Sequence, residues 1–404
     1  MVRNSIRTTS SLLLLIICLS SCCHKQRGPD SISPDLVVSI PTGSSPYIYY
    51  DGLPELPESG GLVIAHTTVF DGGFRNEDNR LCAVNEKQGD ICWFFPSDLD
   101  ERHYFSFDGR SHSWRNRLMF QYCEDAREDG GLSTICLDAT DGKALWRMES
   151  GRTSCSQSRD VAGDGATCFF IQGSDSLMAF DMKALHVSGF FHSDSLKISE
   201  ISLWGKHLLL CCCTEPGSSG HFGNYAVVLN SRTGAIELPP HFIRNDIVPA
   251  QGVIDKGVLY ANSDTYLTAV DIRSGERIWE RDDKWAYTLM DMSVSGGVLL
   301  KCAGNATAGY DTASGRILYE YRNYGSWQTS VHGNLAFIVN RRQELDVMDV
   351  RTGDFIGNIT CPYHSDGEFF SGSYPVIRGR YLHIMSYRHL FRYPILNNKA
   401  LYKN

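Results

Sequence analysis

Apolar and polar positions alternate along most of this chain in short runs of five to nine residues, broken by Gly, Asp, Asn and Ser. Alternation with a period of two is the mark of strands buried on one face, and the breaks mark turns. Gly257-Val258-Leu259-Tyr260-Ala261 and Gly297-Val298-Leu299-Leu300-Lys301-Cys302 are two such runs. The pattern predicts an all-β chain of many short antiparallel strands.

A longer pattern lies over the short one. A strand reaches an Asp or Asn, a turn closes on Gly, and a second strand follows, often opened by Trp. It reads Cys136-Leu137-Asp138 through Gly142 to Trp146 in one copy and Thr268-Ala269-Val270-Asp271 through Gly275 to Trp279 in another. Ala83-Val84-Asn85 through Gly89 to Trp93 and Tyr310-Asp311 through Gly315 to Tyr319 match well. Val347-Met348-Asp349 through Gly353 and Leu229-Asn230 through Gly234 lack the aromatic. Ala179-Phe180-Asp181 is weak, with Ala184 read in the place of Gly, and Leu390-Phe391-Arg392-Tyr393-Pro394 keeps the first strand alone. An Asp or Asn side chain accepts from backbone N–H groups just ahead of it, and Gly supplies a positive φ. The repeated acid is therefore a turn-former and not a catalyst.

Two further strands between successive copies make four per unit of roughly forty residues, the period of a propeller blade. The phrase resembles the repeat of the PQQ-like (quinoprotein-type) β-propellers, roughly Ala-x-Asp-x-x-Thr-Gly-x-x-x-Trp, from about Leu36 to Tyr393. The resemblance implies an eight-bladed β-propeller, with seven blades as the fallback if the copy near Asp181 forms no sheet of its own. Leu36 to Tyr47 matches the segment that follows the phrase elsewhere. The N-terminal strand is thus expected to complete the last blade and close the ring. Segments around Glu124 to Gly131 and Glu215 to Gly223 read as loop insertions.

Before the repeats, Arg3 and Arg7 precede the apolar run Leu12 to Leu19, which is too short to span a bilayer. Leu19-Ser20-Ser21-Cys22 then resembles a bacterial lipoprotein cleavage box. The expected organisation is a signal peptide over 1–21, a lipidated linker over 22–35 beginning at Cys22, and one propeller domain over 36–404. Loss of the leader removes two arginines and takes the formal charge from −8 to about −10. An acidic body argues against nucleic acid and against broad binding to anionic lipid. The membrane is then reached through the N-terminal lipid only, and basic residues after Cys22 favour the periplasmic face of the outer membrane.

Chemistry-bearing motifs are sparse. There is no phosphate-cradling loop, no His-Glu-x-x-His and no paired Cys-x-x-Cys. His103, His112, His192, His207 and His364 stand at strand ends or in loops without a repeated partner. Cys82 and Cys92 flank one hairpin turn, and Cys123 and Cys136 are similarly placed in the next unit. Each is a candidate disulfide beside the plainer reading of buried thiols. Cys211-Cys212-Cys213 evokes the adjacent-cysteine ring of quinoprotein dehydrogenases, yet it ends an ordinary strand and has no calcium-binding set of acids nearby in sequence. No cofactor, metal or catalytic residue is expected. Tyr47, Tyr104, Trp285, Trp327 and Phe369 recur at similar offsets in the connections between units and form a candidate binding rim.

The whole chain resembles the propeller lipoproteins of the β-barrel assembly machinery. That resemblance implies a non-catalytic scaffold for outer-membrane or periplasmic proteins, bound by rim loops or by strand addition. A glycan- or peptide-binding lipoprotein of an uptake system and a PQQ-dependent oxidoreductase remain as alternatives.

Overall fold

A computed structural model describes residues 33–39, 46–47, 62–70, 76–85, 87–96, 106–107, 111–123, 132–151, 161–216, 220–246, 250–263, 266–282, 290–303, 306–322, 329–370, 375–386 and 389–395. The leader, its cleavage box and Cys22 lie outside them. Among the described residues no helix is long and apolar enough to cross a membrane.

Among the described residues the strands form seven four-stranded antiparallel sheets and one of five, in an all-β propeller. From the second sheet onward each is a meander built in chain order. The second runs Pro46–Tyr47, Leu62–Phe70, Asn76–Asn85, Ile91–Phe95. The fourth runs Val161–Asp164, Thr167–Gln172, Ser176–Asp181, His186–His192, so the weak copy at Asp181 has a sheet of its own. The third departs from the four-strand plan. Ser106–Phe107 and His112–Trp114 both pair with Arg117–Cys123, so its first strand is split in two.

The first sheet joins the two ends of the chain. Leu36–Ser39 pairs antiparallel with His389–Pro394, Leu36 opposite Arg392 and Ser39 opposite His389. Asp35 reinforces the seam, its carboxylate accepting from Arg392 Nε at 2.8 Å. Closure leaves no sheet stacked against water at the end of a row, which is how propellers limit exposed edges.

The apolar core is divided by the sheets. Buried residues fall into eight clusters, each shared by two successive sheets. Val38 and Leu390 meet Cys82 and Val84 where the first sheet packs on the second. Phe337 and Val347 meet Leu382 and Phe391 where the eighth packs on the first. A ring of wedge-shaped interfaces needs large side chains between the sheets, and the closing aromatic of the repeat supplies them.

Trp93 Nε1 donates to Ala139 O at 2.8 Å and Trp279 Nε1 to Thr312 O at 2.9 Å. Tyr319 OH donates to Val350 O at 2.5 Å. Each acceptor is the residue after the turn-forming acid of the next sheet. The indole or phenol lies on that turn's Gly: a Cβ on Gly142, Gly315 or Gly353 would come within 2.8, 2.7 and 2.5 Å of Trp93, Trp279 and Tyr319 respectively. The Gly thus serves two ends, a φ near +70° and a platform for the neighbour's ring.

All seven complete turns carry the expected bonds. Backbone N–H groups two or three residues on donate to the side chains of Asn85, Asp138, Asp181, Asn230, Asp271, Asp311 and Asp349. At the degenerate copy the residue in Gly's place, four after the acid as in the other turns, is Leu185, at φ +55°, and not Ala184. For a branched residue that conformation is costly, by about 1–2 kcal/mol.

A further regularity runs through the sheets. In six described fourth strands the residue before the aromatic position is skipped in the pairing: Cys92, Leu145, Glu237, Ile278, Leu318 and Ile356. This recurrent bulge re-aims the chain so that the next side chain enters the interface. It also overturns the Cys82–Cys92 pairing. Cys82 stands opposite Phe94, and Cys92 sits exposed on the bulge. Cys123 and Cys136 are likewise apart, opposite Leu132 and Met119.

Candidate functional site at the polar end of the ring

The two ends of the ring are built differently. One carries the short Asx-Gly turns and the tight turns between first and second strands. At the other, second strands run into third strands and each fourth strand crosses to the next sheet. The connections there are unequal in length: Cys123 to Leu132 and Asp282 to Met290 are long, Asn262 to Tyr266 short.

Buried polar side chains gather beneath this second end. Gln121 Nε2 donates to Thr134 Oγ1 at 2.9 Å and across the sheet boundary to Ile171 O at 3.1 Å. Asn224 Oδ1 accepts from Ala250 N at 3.1 Å, fixing the crossover from the fifth to the sixth sheet. Ser263 Oγ donates to Asp246 Oδ2 at 2.5 Å. Lys301, 2% exposed as a residue, donates from Nζ to Asn262 Oδ1 at 2.7 Å between the sixth and seventh sheets. A charge this deep is retained only where hydrogen bonds hold it.

The tightest group is at the closing sheet. Glu368 Oε2 accepts from Ser386 Oγ at 2.5 Å and is 2.9 Å from His389 Nδ1. His389 stacks on Tyr363 at 4.3 Å between ring centroids. Ser, His and Glu are present together, but both Ser386 and His389 bond the same carboxylate oxygen. In a nucleophile relay the imidazole stands between hydroxyl and acid. This cluster instead ties the 361–370 segment to the seam.

The other titratable groups serve the frame. His112 lies under the fourth sheet, its Nε2 2.9 Å from Gly165 O, and a Cβ on Gly163 would reach 2.1 Å from its ring. Desolvation lowers its pKa, against smaller opposing effects of that carbonyl and Asp164. His207 is bonded through Nδ1 to Glu237, which also accepts from Asn230 Nδ2 at 3.0 Å. His192 reaches Ser176 Oγ at 3.0 Å and Asp194 Oδ1 at 3.1 Å in the open. Cys211, Cys212 and Cys213 are buried in the second strand of the fifth sheet, and burial pushes Cys212 up to about 12. Among the described residues no group of three or more His, Cys, Asp and Glu side chains is placed to hold a metal.

Of the expected rim residues, Tyr104, Trp285 and Trp327 lie outside the described residues, and Tyr47 begins the second sheet with its side chain outside them. Phe369 is half-buried at the polar end, edge-to-face with His364 at 4.9 Å. The buried polar groups there were missed in the sequence. The signal was present: Gln121, Asn262 and Lys301 interrupt otherwise apolar second strands.

No known family profile matches the sequence, and no curated protein matches it. Solved structures do resemble the fold. BamB from Moraxella catarrhalis superposes with a TM-score of 0.56 at 11% identity, covering 91% of this chain and 98% of that one. The computationally designed Ika8 protein gives 0.56 at 11%, over 89% and 99%. Quinohemoprotein alcohol dehydrogenase from Comamonas testosteroni gives 0.59 at 10%, over 90% and 76%. At such identities the likeness is one of fold: a β-propeller that BamB, a designed protein and an alcohol dehydrogenase all share.

Proposed function

We propose that this chain is a non-catalytic, lipid-anchored propeller that acts as a protein–protein interaction scaffold at the periplasmic face of a bacterial outer membrane, with a part in outer-membrane protein assembly. Each sheet, the five-stranded one included, counts as a blade, and the propeller has eight. Cys22 carries the lipid.

The asymmetry of the ring carries this reading. One end is a uniform set of tight turns. The other presents connections of differing length and sequence over buried polar residues that are bonded to the frame, a form suited to shape recognition. The likeness to BamB over nearly all of both chains supports it at the level of fold. A glycan or extended peptide gripped by the rim of Tyr47, Tyr104, Trp285, Trp327 and Phe369 is the second reading. It is favoured by the placement of Phe369 at the same end.

The test is a crosslinked pull-down of the full-length lipidated protein from its native membrane, with Cys22→Ala as the mislocalised control. Enrichment of outer-membrane barrels or their assembly factors only with Cys22 intact supports the scaffold. Recovery of a glycan-transport pair instead selects the second reading.

A further inference from the structure

The outermost strands of the sheets differ in how they treat their free edge. Such a strand turns alternate backbone N–H and C=O groups outward, and proteins guard these groups with charge, proline, bulges or brevity. Ala144–Glu149 carries Arg147 and Glu149, Ile317–Arg322 carries Glu320 and Arg322, and Arg277–Asp282 carries Arg277, Glu280, Arg281 and Asp282. Ile236–Asp246 contains Pro239 and Pro240. Ile91–Phe95 runs into Pro96, and Leu36–Ser39 is only four residues long. Ile356 and Ile359 of Phe355–Ile359 are buried.

His186–His192 stands apart. Its seven residues, His-Val-Ser-Gly-Phe-Phe-His, include no Lys, Arg, Asp, Glu or Pro. From His186 to Gly189 it pairs regularly with Asp181 to Met178, and only beyond Gly189 does a bulge at Phe190 shift the register. His186, Ser188 and Gly189 are exposed, and a Cβ on Gly189 would meet nothing within 4 Å. Phe190 is turned back onto Phe169, ring centroids 4.9 Å apart, and leaves the edge itself clear.

We propose that this edge receives an extended, uncharged strand of a partner polypeptide, added to the fourth sheet by main-chain pairing along His186–Gly189 and onward to His192. The inference rests on the scaffold reading and names the surface it uses. A second copy of this chain is a poorer occupant. Antiparallel self-pairing centred on Ser188 sets the Phe190 bulge of each copy against His186 of the other and breaks both ladders. A heterologous strand has no such bulge to accommodate. Its affinity comes from backbone bonds, its selectivity from small side chains beside Ser188 and Gly189.

The probe is an alternating Thr-Val decapeptide, with a version N-methylated at alternate residues as control, added to the full chain and read by hydrogen exchange and titration. Slowed exchange confined to residues 186–192 is expected. Binding should weaken at least tenfold in Ser188→Lys/Gly189→Lys, both open positions that leave the fold's melting unchanged, and stay unaltered in Leu318→Lys on an already guarded edge. Protection at another strand, equal binding of the methylated peptide, indifference to the lysine pair, or a concentration-dependent dimer abolished by it would each overturn the proposal. The two readings separate cleanly. Partners recovered in the pull-down but indifferent to the lysine pair leave the scaffold standing without this edge; peptide pairing with no partner recovered does the reverse.

Discussion

Replacing Gly315 by Ala isolates the contact that makes one blade fit the next. Gly315 sits at φ +69°, and an added Cβ would lie 2.7 Å from Trp279 Cδ2 and Cε3. Two costs follow: about 1–2 kcal/mol for an alanine in the left-handed region, and about 1–3 kcal/mol for overpacking against a ring that is itself pinned by its bond to Thr312 O. Gly257→Ala is the internal standard, because φ is +79° but nothing lies within 4 Å. It should cost the first amount alone. In urea unfolding at constant m, Gly315→Ala is therefore expected to be less stable than Gly257→Ala by about 1–3 kcal/mol. Trp279→Leu removes the obstacle, so in that background the two alanines should cost the same, a coupling that a double-mutant cycle reads directly. Equal costs in the native background, or no coupling to Trp279, would refute the account of Gly as a platform.

Thiol labelling at pH 8, resolved by peptide mass spectrometry, should mark exposed Cys92 in the native protein and spare Cys136 and Cys212, whose pKa values burial raises to about 12, and Cys361, raised to about 11, until the chain unfolds. His112 should make the fold acid-sensitive. Its folded pKa lies below the ordinary 6.5, so its contribution is complete above that pH and is lost as pH falls from 6.5 toward the folded value; His112→Asn should flatten the dependence of the urea midpoint on pH over that window. Val38→Asp, at a position 2% exposed between the first and second sheets, should open the ring at a cost of several kcal/mol, whereas Val37→Asp next to it, 38% exposed, should change the melting temperature little.

How far the sequence could be read depended on the range of each interaction. Turn chemistry is local: Asp271 or Asp311 and the Gly four residues on need only each other, so the repeat and the hairpins were legible from spacing, and the closing N-terminal strand from the likeness of Leu36 to Tyr47 to the segment that follows the phrase elsewhere. The bulge was not. Whether Ile278 or Trp279 enters the interface depends on a two-against-one pairing with Ala269 and Val270, which alternation within one strand does not reveal. Its trace is the pair of adjacent apolar residues, Leu145-Trp146, Ile278-Trp279, Leu318-Tyr319, where strict alternation allows one. The same omission put Cys92 opposite Cys82. Leu185, by contrast, is fixed by the same spacing, four residues after Asp181 as Gly275 stands after Asp271, and the expectation of Ala184 fell one residue short of it.

The bulge and the platform Gly together explain how one repeated phrase closes a ring without repeating every residue. The bulge delivers an aromatic to the interface, the next turn's Gly makes room for it, and the backbone carbonyl after the turn-forming acid holds its polar atom. Where the aromatic is missing, as after Gly234, the wedge is filled otherwise: Leu238 lies 3.7 Å from where Gly275 would carry a Cβ, and Tyr266 fills the same interface from within. Because these interfaces are satisfied by local residues, the ring tolerates wide variation at its polar end, where the connections do not have to pack blade against blade. A frame insulated in this way from its loops can change partners by changing loops, and it can spare one outer strand from guarding without loss to its own stability. The fourth sheet is where that freedom is visible, since its turn has lost the Gly, its fourth strand lacks the charges of its neighbours, and its edge is left open.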